Sequence, residues 1–226
     1  MAEEAEQSER YDPALAWLSA RGPIRSAISS GDDVEALLSL TQAWAARGGQ
    51  RLQGTDTQGG IDDLSAILQH GAAVERHAHT LQVRATGAQI QDLALQILEI
   101  APLQELTTSA RAELLMVLGE AAVIPSATDS ASRQCQQDAA AIRSQAYPAQ
   151  LTPVQALLVD PERTALLLLA GCAHEAPPSS RVRNTEGARL AEDIAQARRT
   201  EHDALSTFLA DNDARREALR EQLARR

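Results

Sequence analysis

The apolar residues of this sequence recur every three or four positions along most of the chain. The clearest run has steps of three and four between Leu64, Ile67, Gly71, Val74, Ala78 and Leu81. Such spacing places side chains on one face of an α-helix, whereas a half-buried strand alternates at every second residue. Strong strand formers are also scarce. The sequence therefore predicts an all-α fold, a multi-helix globular core of about six to eight helices with a long C-terminal helix.

Helix boundaries are marked by prolines and glycines. A capping side chain precedes a proline at the first helical position in three places, which predicts helix starts at Asp12-Pro13, Thr152-Pro153 and Asp160-Pro161. Helix stops are predicted at Gly22, Gly48-Gly49, Gly171 and Pro177-Pro178. We accordingly expect residues 46–60 to form the longest internal loop. The apolar run Ala165–Ala170 is predicted to be the central buried helix.

The C-terminal region is free of helix breakers. Residues 188–226 contain neither proline nor glycine, so one helix of up to about 39 residues, roughly 58 Å long, is predicted. The predicted organisation is an acidic disordered tail at 1–10, a helical core at 11–175, a Pro/Ser linker at 176–187 and a C-terminal helical arm at 188–226.

The arm carries an apolar stripe that requires a covering surface, because a lone amphipathic helix is marginal in water. We predict that it binds a partner helix or a second copy of the chain through Ile194, Leu205, Phe208, Asn212, Arg215, Arg216, Leu219 and Leu223. The alternative is that the arm folds back on its own core. Asn212 has two interpretations as well, a register-setting residue in a helical pair or, as we favour, a solvated residue in an acidic patch.

All 21 basic residues are arginine, since the chain has no lysine. This absence excludes a phosphate-binding Walker lysine and a Schiff-base lysine. It reflects either arginine-favouring codon usage or selection against lysine modification. The 31 acidic residues give the chain a net charge of −10. Residues 1–180 contain 22 of these acidic residues and only 11 arginines. We therefore expect no duplex nucleic acid contact by the acidic core.

Known catalytic and metal-binding spacings are missing from the sequence. No histidine has a carboxylate three residues before it, and no nucleophile elbow is present. The spacing of the histidines at 70, 77 and 79 does not favour a helical metal site. No cofactor and no metal are predicted. Cys135 and Cys172 could form one disulfide by count, but neither lies in a redox or zinc motif, and we expect two reduced, buried thiols.

These observations favour a non-enzymatic α-helical protein that acts through protein–protein contacts, as an oligomer-forming structural subunit or an adaptor. One alternative is a lysine-free effector-like protein acting in a foreign cytosol. Another is an enzyme whose cleft lies between helices and includes His77 or His79. The acidic start is unlike a secretory leader, and no run is long enough to span a membrane. We expect a cytoplasmic protein where it is synthesised, with export by a route without a cleavable signal left open.

Overall fold

The computed structural model describes residues 31–78, 80–120, 127–147, 151–175 and 184–225. These residues form eight α-helices and one short 3-10 turn, Leu103–Glu105, and they include no strand, which confirms the all-α prediction. The helices are α1 Gly31–Gln53, α2 Thr57–Arg76, α3 Leu81–Ile100, α4 Thr108–Glu120, α5 Ala127–Arg143, α6 Pro153–Leu157, α7 Pro161–Cys172 and α8 Thr185–Ala224. The last has 40 residues, so the predicted long C-terminal helix is confirmed.

The chain divides into two compact units. Within the described residues, unit one comprises 31–78, 82–120 and 207–225, and unit two comprises 80–81, 127–147, 151–175 and 184–206. Helix α8 contributes its first half, residues 185–206, to unit two and its second half, residues 207–224, to unit one. The predicted acidic tail, the first proline-marked helix start and residues 176–183 of the predicted linker lie outside the described residues.

The core of unit one is built on the periodic face of α2. Leu64 and Ile67 have no exposed surface, and Val74 is also buried. Where α2 crosses α3, a Cβ atom on Gly71 would lie 2.7 Å from the backbone oxygen of Gly87. Only glycine allows this approach, so the small residue within the periodic face sets how closely the two helices pack.

The predicted stop at Gly48-Gly49 and the predicted loop at 46–60 are wrong. Helix α1 continues to Gln53, and residues 54–56 alone separate it from α2. A Cβ atom on Gly48 would lie 3.1 Å from the Leu64 side chain, and one on Gly49 would lie 3.3 Å from Ile97. These glycines therefore serve helix packing, and the favourable burial outweighs their poor helix propensity.

A buried carboxylate also joins α1 to α2. Asp63 accepts a hydrogen bond from Trp44 Nε1 at 3.0 Å and pairs with Arg47 at 2.6 Å and with Arg51 at 3.0 Å. Its two oxygens thus accept four hydrogen bonds from three side chains of the neighbouring helix. The Asp63 carboxylate therefore holds α1 and α2 together, since it lies on one of these packed helices and all its donors lie on the other.

In unit two the proline-marked starts are confirmed. Thr152 and Gln155 form a reciprocal capping box at α6, and Asp160 accepts from the Arg163 N–H at α7. The prediction of a buried helix at Ala165–Ala170 is only half right. Ala165 and Leu168 have no exposed surface, but Leu166 is 49% exposed. The reason is that the core cluster of α5, α7 and α8 covers only one side of α7.

Candidate binding groove

Three helices of unit two face one another across an open cavity of about 810 Å³, which we call the groove. Each contributes one face, because its lining residues are spaced by three or four positions or are adjacent. The groove is lined by Ala131, Ser132, Cys135 and Gln136 of α5, by Leu166, Leu169, Ala170 and Cys172 of α7 with Ala173, His174 and Glu175 after it, and by Ala195, Arg198, Arg199, His202 and Asp203 of α8.

A disulfide between Cys135 and Cys172 joins the α5 wall to the α7 wall, with the two Cα atoms 6.5 Å apart. The expectation of two reduced thiols is therefore wrong. The pairing closes a long loop, with 37 residues of sequence separation, and sequence spacing alone does not reveal which helix ends meet. The disulfide fixes the distance between two of the three faces.

The third wall is held by arginines of α8. Arg198 forms a two-pronged contact with Asp138 of α5, with Nε–Oδ2 at 2.7 Å and Nη2–Oδ1 at 3.3 Å. Burial alone would lower the pKa of the Arg198 guanidinium, but hydrogen bonds to Asp138 and Glu201 raise it overall. Arg199 donates from Nη1 to the Gly171 backbone oxygen at 3.1 Å. Arg198 thus ties α8 to α5, and Arg199 ties α8 to α7.

The start of α8 lies directly against the start of α7. Asn184 donates from Nδ2 to Thr164 Oγ1 at 3.0 Å and accepts from the Asp160 N–H at 3.2 Å. A Cβ atom on Gly187 would be 2.1 Å from Thr164 Oγ1. Any larger residue there would displace the side chains of Thr164 and Asn184, so this glycine preserves the contact between the starts of α7 and α8.

At the other end, α7 stops in a left-handed turn. His174 has φ 56°, a conformation that glycine favours and a β-carbon disfavours. The Glu175 N–H donates to the Ala170 backbone oxygen at 2.9 Å, which satisfies a carbonyl of the last helical turn. This turn places His174 and Glu175 in the lining of the groove.

The groove combines an apolar floor with a balanced rim. Its lining includes alanines from all three walls or their ends and two leucines from α7, while Arg198 and Arg199 are matched in number by Glu175 and Asp203. Its α8 wall spans residues 195–203, roughly 12 Å or two helical turns. An arrangement of three helix faces around an open apolar gap has the shape that accepts one further amphipathic helix.

The predicted partner-binding residues do not lie together in this groove. Ile194 belongs to the core of unit two, and Leu219 and Leu223 to the core of unit one. Asn212 and Leu205 are buried as well, at 1% and 5% exposure, while Phe208 and Arg215 are half-buried. The stripe is thus covered by the chain itself, which is the fold-back alternative. Partner binding by these residues stays a prediction that requires the helix to leave its place.

Three of the predicted polar residues make specific contacts within unit one. Asn212 donates from Nδ2 to the Ala88 backbone oxygen at 3.1 Å, so the favoured interpretation of a solvated residue is wrong. Arg215 pairs with Asp92 and, at 3.5 Å, with Glu99 of α3. Arg216 donates to Gln91 and to Asp213. The register of α8 on α3 is therefore fixed by polar contacts as well as by packing.

Sequence reasoning missed the groove because it treated Ala165–Ala170 as apolar on every side and hence buried. The even number of cysteines was the one signal available for the disulfide wall.

Among the described residues no group of three histidine, cysteine, aspartate or glutamate side chains could hold a metal ion. None of the described helices is both long and apolar enough to cross a membrane. His77 is exposed at the end of α2, and His79 lies outside the described residues.

Comparison with protein families, with curated proteins and with solved structures gives no match to this chain.

Proposed function

We propose that this chain is a non-enzymatic α-helical protein that acts through protein–protein contacts, and that the groove is where an apolar helix face of its partner binds. The observation that supports this most strongly is the groove itself, three cross-linked helix faces around about 810 Å³ of open space with Leu166 half-exposed at its edge. The partner is either a second copy, which makes the chain a structural subunit, or another protein, which makes it an adaptor.

A second exposed apolar surface of unit two supports the same proposal. Three large apolar side chains on and after α6 are mostly exposed, Val154 at 67%, Leu157 at 86% and Leu158 at 59%. Apolar clusters of this kind on a folded surface mark interaction sites more often than isolated leucines do. They enlarge the apolar area that unit two offers to a partner.

The disulfide also bears on where the chain works. Cytosolic thiols are kept reduced, whereas disulfides persist in oxidising compartments. We therefore propose that the protein is made in the cytoplasm and acts after export, where the Cys135–Cys172 bond is stable.

A photo-crosslinking amino acid in place of Leu166 tests the proposal in a lysate or secretome of the source cells. The control is the same probe in place of Gln137, an exposed residue of α5 that does not line the groove. We expect a discrete protein adduct from position 166 alone, and we expect it to disappear when Ser132→Trp fills the groove. An adduct of twice the 24.2 kDa chain indicates a structural subunit, and any other discrete mass indicates an adaptor. No protein adduct from 166, or equal adducts from both positions, would contradict the proposal.

A further inference from the structure

A second feature, independent of the groove, is a chain of buried polar side chains in unit one that we call the seam. It consists of Glu75 on α2, Gln91 on α3 and Arg216 on α8, which are 2%, 0% and 3% exposed. Gln91 donates from Nε2 to Oε1 of Glu75 and accepts at Oε1 from Arg216 Nη2. The seam thus connects three helices through one neutral amide.

The seam leaves Glu75 poorly compensated when it is ionised. Its Oε2 has no hydrogen-bond partner, and its Oε1 receives its bond from an amide rather than from a cation. The Nε atom of Arg216 also lacks a partner, because the bonds of that side chain go to Gln91 and Asp213. A buried carboxylate in such a place favours its neutral form.

Close helix packing explains why water does not reach Glu75. A Cβ atom on Gly87 would lie 2.7 Å from both the Cγ and the backbone N of Glu75. The charged groups that face Glu75 are Arg84 of α3 and Arg216 and Asp213 of α8. Burial raises the pKa of the Glu75 carboxyl to about 7, although the two arginines oppose this.

Undocking of α8 would remove Arg216 and Asp213 and admit water to Glu75, whose pKa would then return towards the ordinary value of 4.5. The docked state therefore binds this proton more tightly than the undocked state. By linkage, the contribution of the neutral Glu75 carboxyl to the free energy of docking is fully present below about pH 4.5 and is lost as the pH rises through about 7.

We propose that the second half of α8, residues 207–224, is a proton-controlled latch on α2 and α3 that is held most firmly when Glu75 is neutral and loosens when Glu75 ionises. Release would expose Leu219 and Leu223, which are both 2% exposed in the closed state. These are residues that the sequence predicts to bind a partner. The latch thus offers a way in which that stripe could become available, and it stands whether or not the groove binds protein.

The test measures hydrogen-exchange protection factors of the 207–224 amides in the full chain at pH 5.5 and 8.5. We expect protection to fall about 30-fold over this interval, as a carboxyl with pKa values of about 7 docked and 4.5 undocked requires. The fall should vanish in Glu75→Gln. It should persist in Glu120→Gln, which changes an exposed carboxyl of the same unit.

Three results would overturn the latch: a wild-type change within twofold, an undiminished fall in Glu75→Gln, or an equal fall for the 61–68 amides of α2, which would mean that all of unit one opens. If Glu75→Gln does not fold, the titration of the wild-type Glu75 carboxyl carbon decides. A midpoint near 7 supports the latch, and a midpoint near 4.5 refutes it.

Discussion

Asn212 donates a hydrogen bond from its side-chain amide to the backbone oxygen of Ala88, 124 residues earlier in the chain, at 3.1 Å. Both residues are buried. The contact fixes the second half of α8 in one register on α3, because a shift by one residue would bury an unpaired amide. The second half of α8 is therefore an integral part of unit one.

The first prediction concerns the apolar anchors of that helix. Leu219→Ala and Leu223→Ala should each lower the free energy of unfolding of unit one by about 2 to 5 kcal/mol, because both side chains are almost fully buried in its core. Chemical denaturation measures the loss. Glu217→Ala, an exposed position on the same helix, should change stability by less than about 0.5 kcal/mol. An unchanged denaturation midpoint in the leucine variants would show that the stripe is not packed in solution.

The fold class and the outline of α8 follow from the sequence because periodicity and helix breakers are local signals. The helix stop predicted at Gly48-Gly49 was wrong because the neighbouring sequence does not show whether a glycine ends a helix or packs within one against a residue such as Leu64. Glu75 and Gln91 carry no sequence signal of their seam, since it depends on how three distant helices meet. The groove was missed for the same reason, because the exposure of Leu166 is decided by which side of α7 other helices cover.

A second prediction uses two glycines of unit one. Gly71→Ala should be strongly destabilising, by roughly 1 to 3 kcal/mol or more, because the new Cβ would lie 2.7 Å from the Gly87 backbone oxygen. Gly119→Ala should be neutral or stabilising by up to about 1 kcal/mol, since nothing lies within 4 Å of its Cβ position and alanine is the better helix former. Thermal unfolding of the two variants measures the contrast. Equal effects would contradict the close crossing of α2 and α3.

The third prediction concerns the disulfide. Reduction, or the double substitution Cys135→Ser and Cys172→Ser, should destabilise unit two by about 4 kcal/mol, the loop-entropy estimate for its 37-residue separation. Hydrogen exchange by segment provides the measurement. Protection should fall in α5 and α7 but not in residues 61–68 of α2, which belong to unit one. Unchanged protection of α5 in the reduced protein would show that the bond is not a structural tie.

The fourth prediction concerns pH. His70 is buried, and burial lowers its pKa from 6.5. Its folded state therefore binds fewer protons than the unfolded chain, so the resulting stability is present above pH 6.5 and is lost as the pH falls towards the folded pKa. Denaturation at pH 7 and pH 5 should show that His70→Leu gains stability relative to wild type on acidification. An equal pH dependence of stability in the two proteins would rule out this role of His70. The opposite effect of Glu75 on stability is present in both proteins and cancels in the comparison.

The most direct measurement of the proposed function is hydrogen exchange of the chain alone and in the complex recovered by crosslinking from position 166. Binding in the groove predicts increased protection of residues 131–136, 166–173 and 195–203, the three walls that line it, with no change in residues 207–224. Increased protection confined to 207–224, with the groove walls unchanged, would contradict the account and would assign partner binding to the C-terminal stripe.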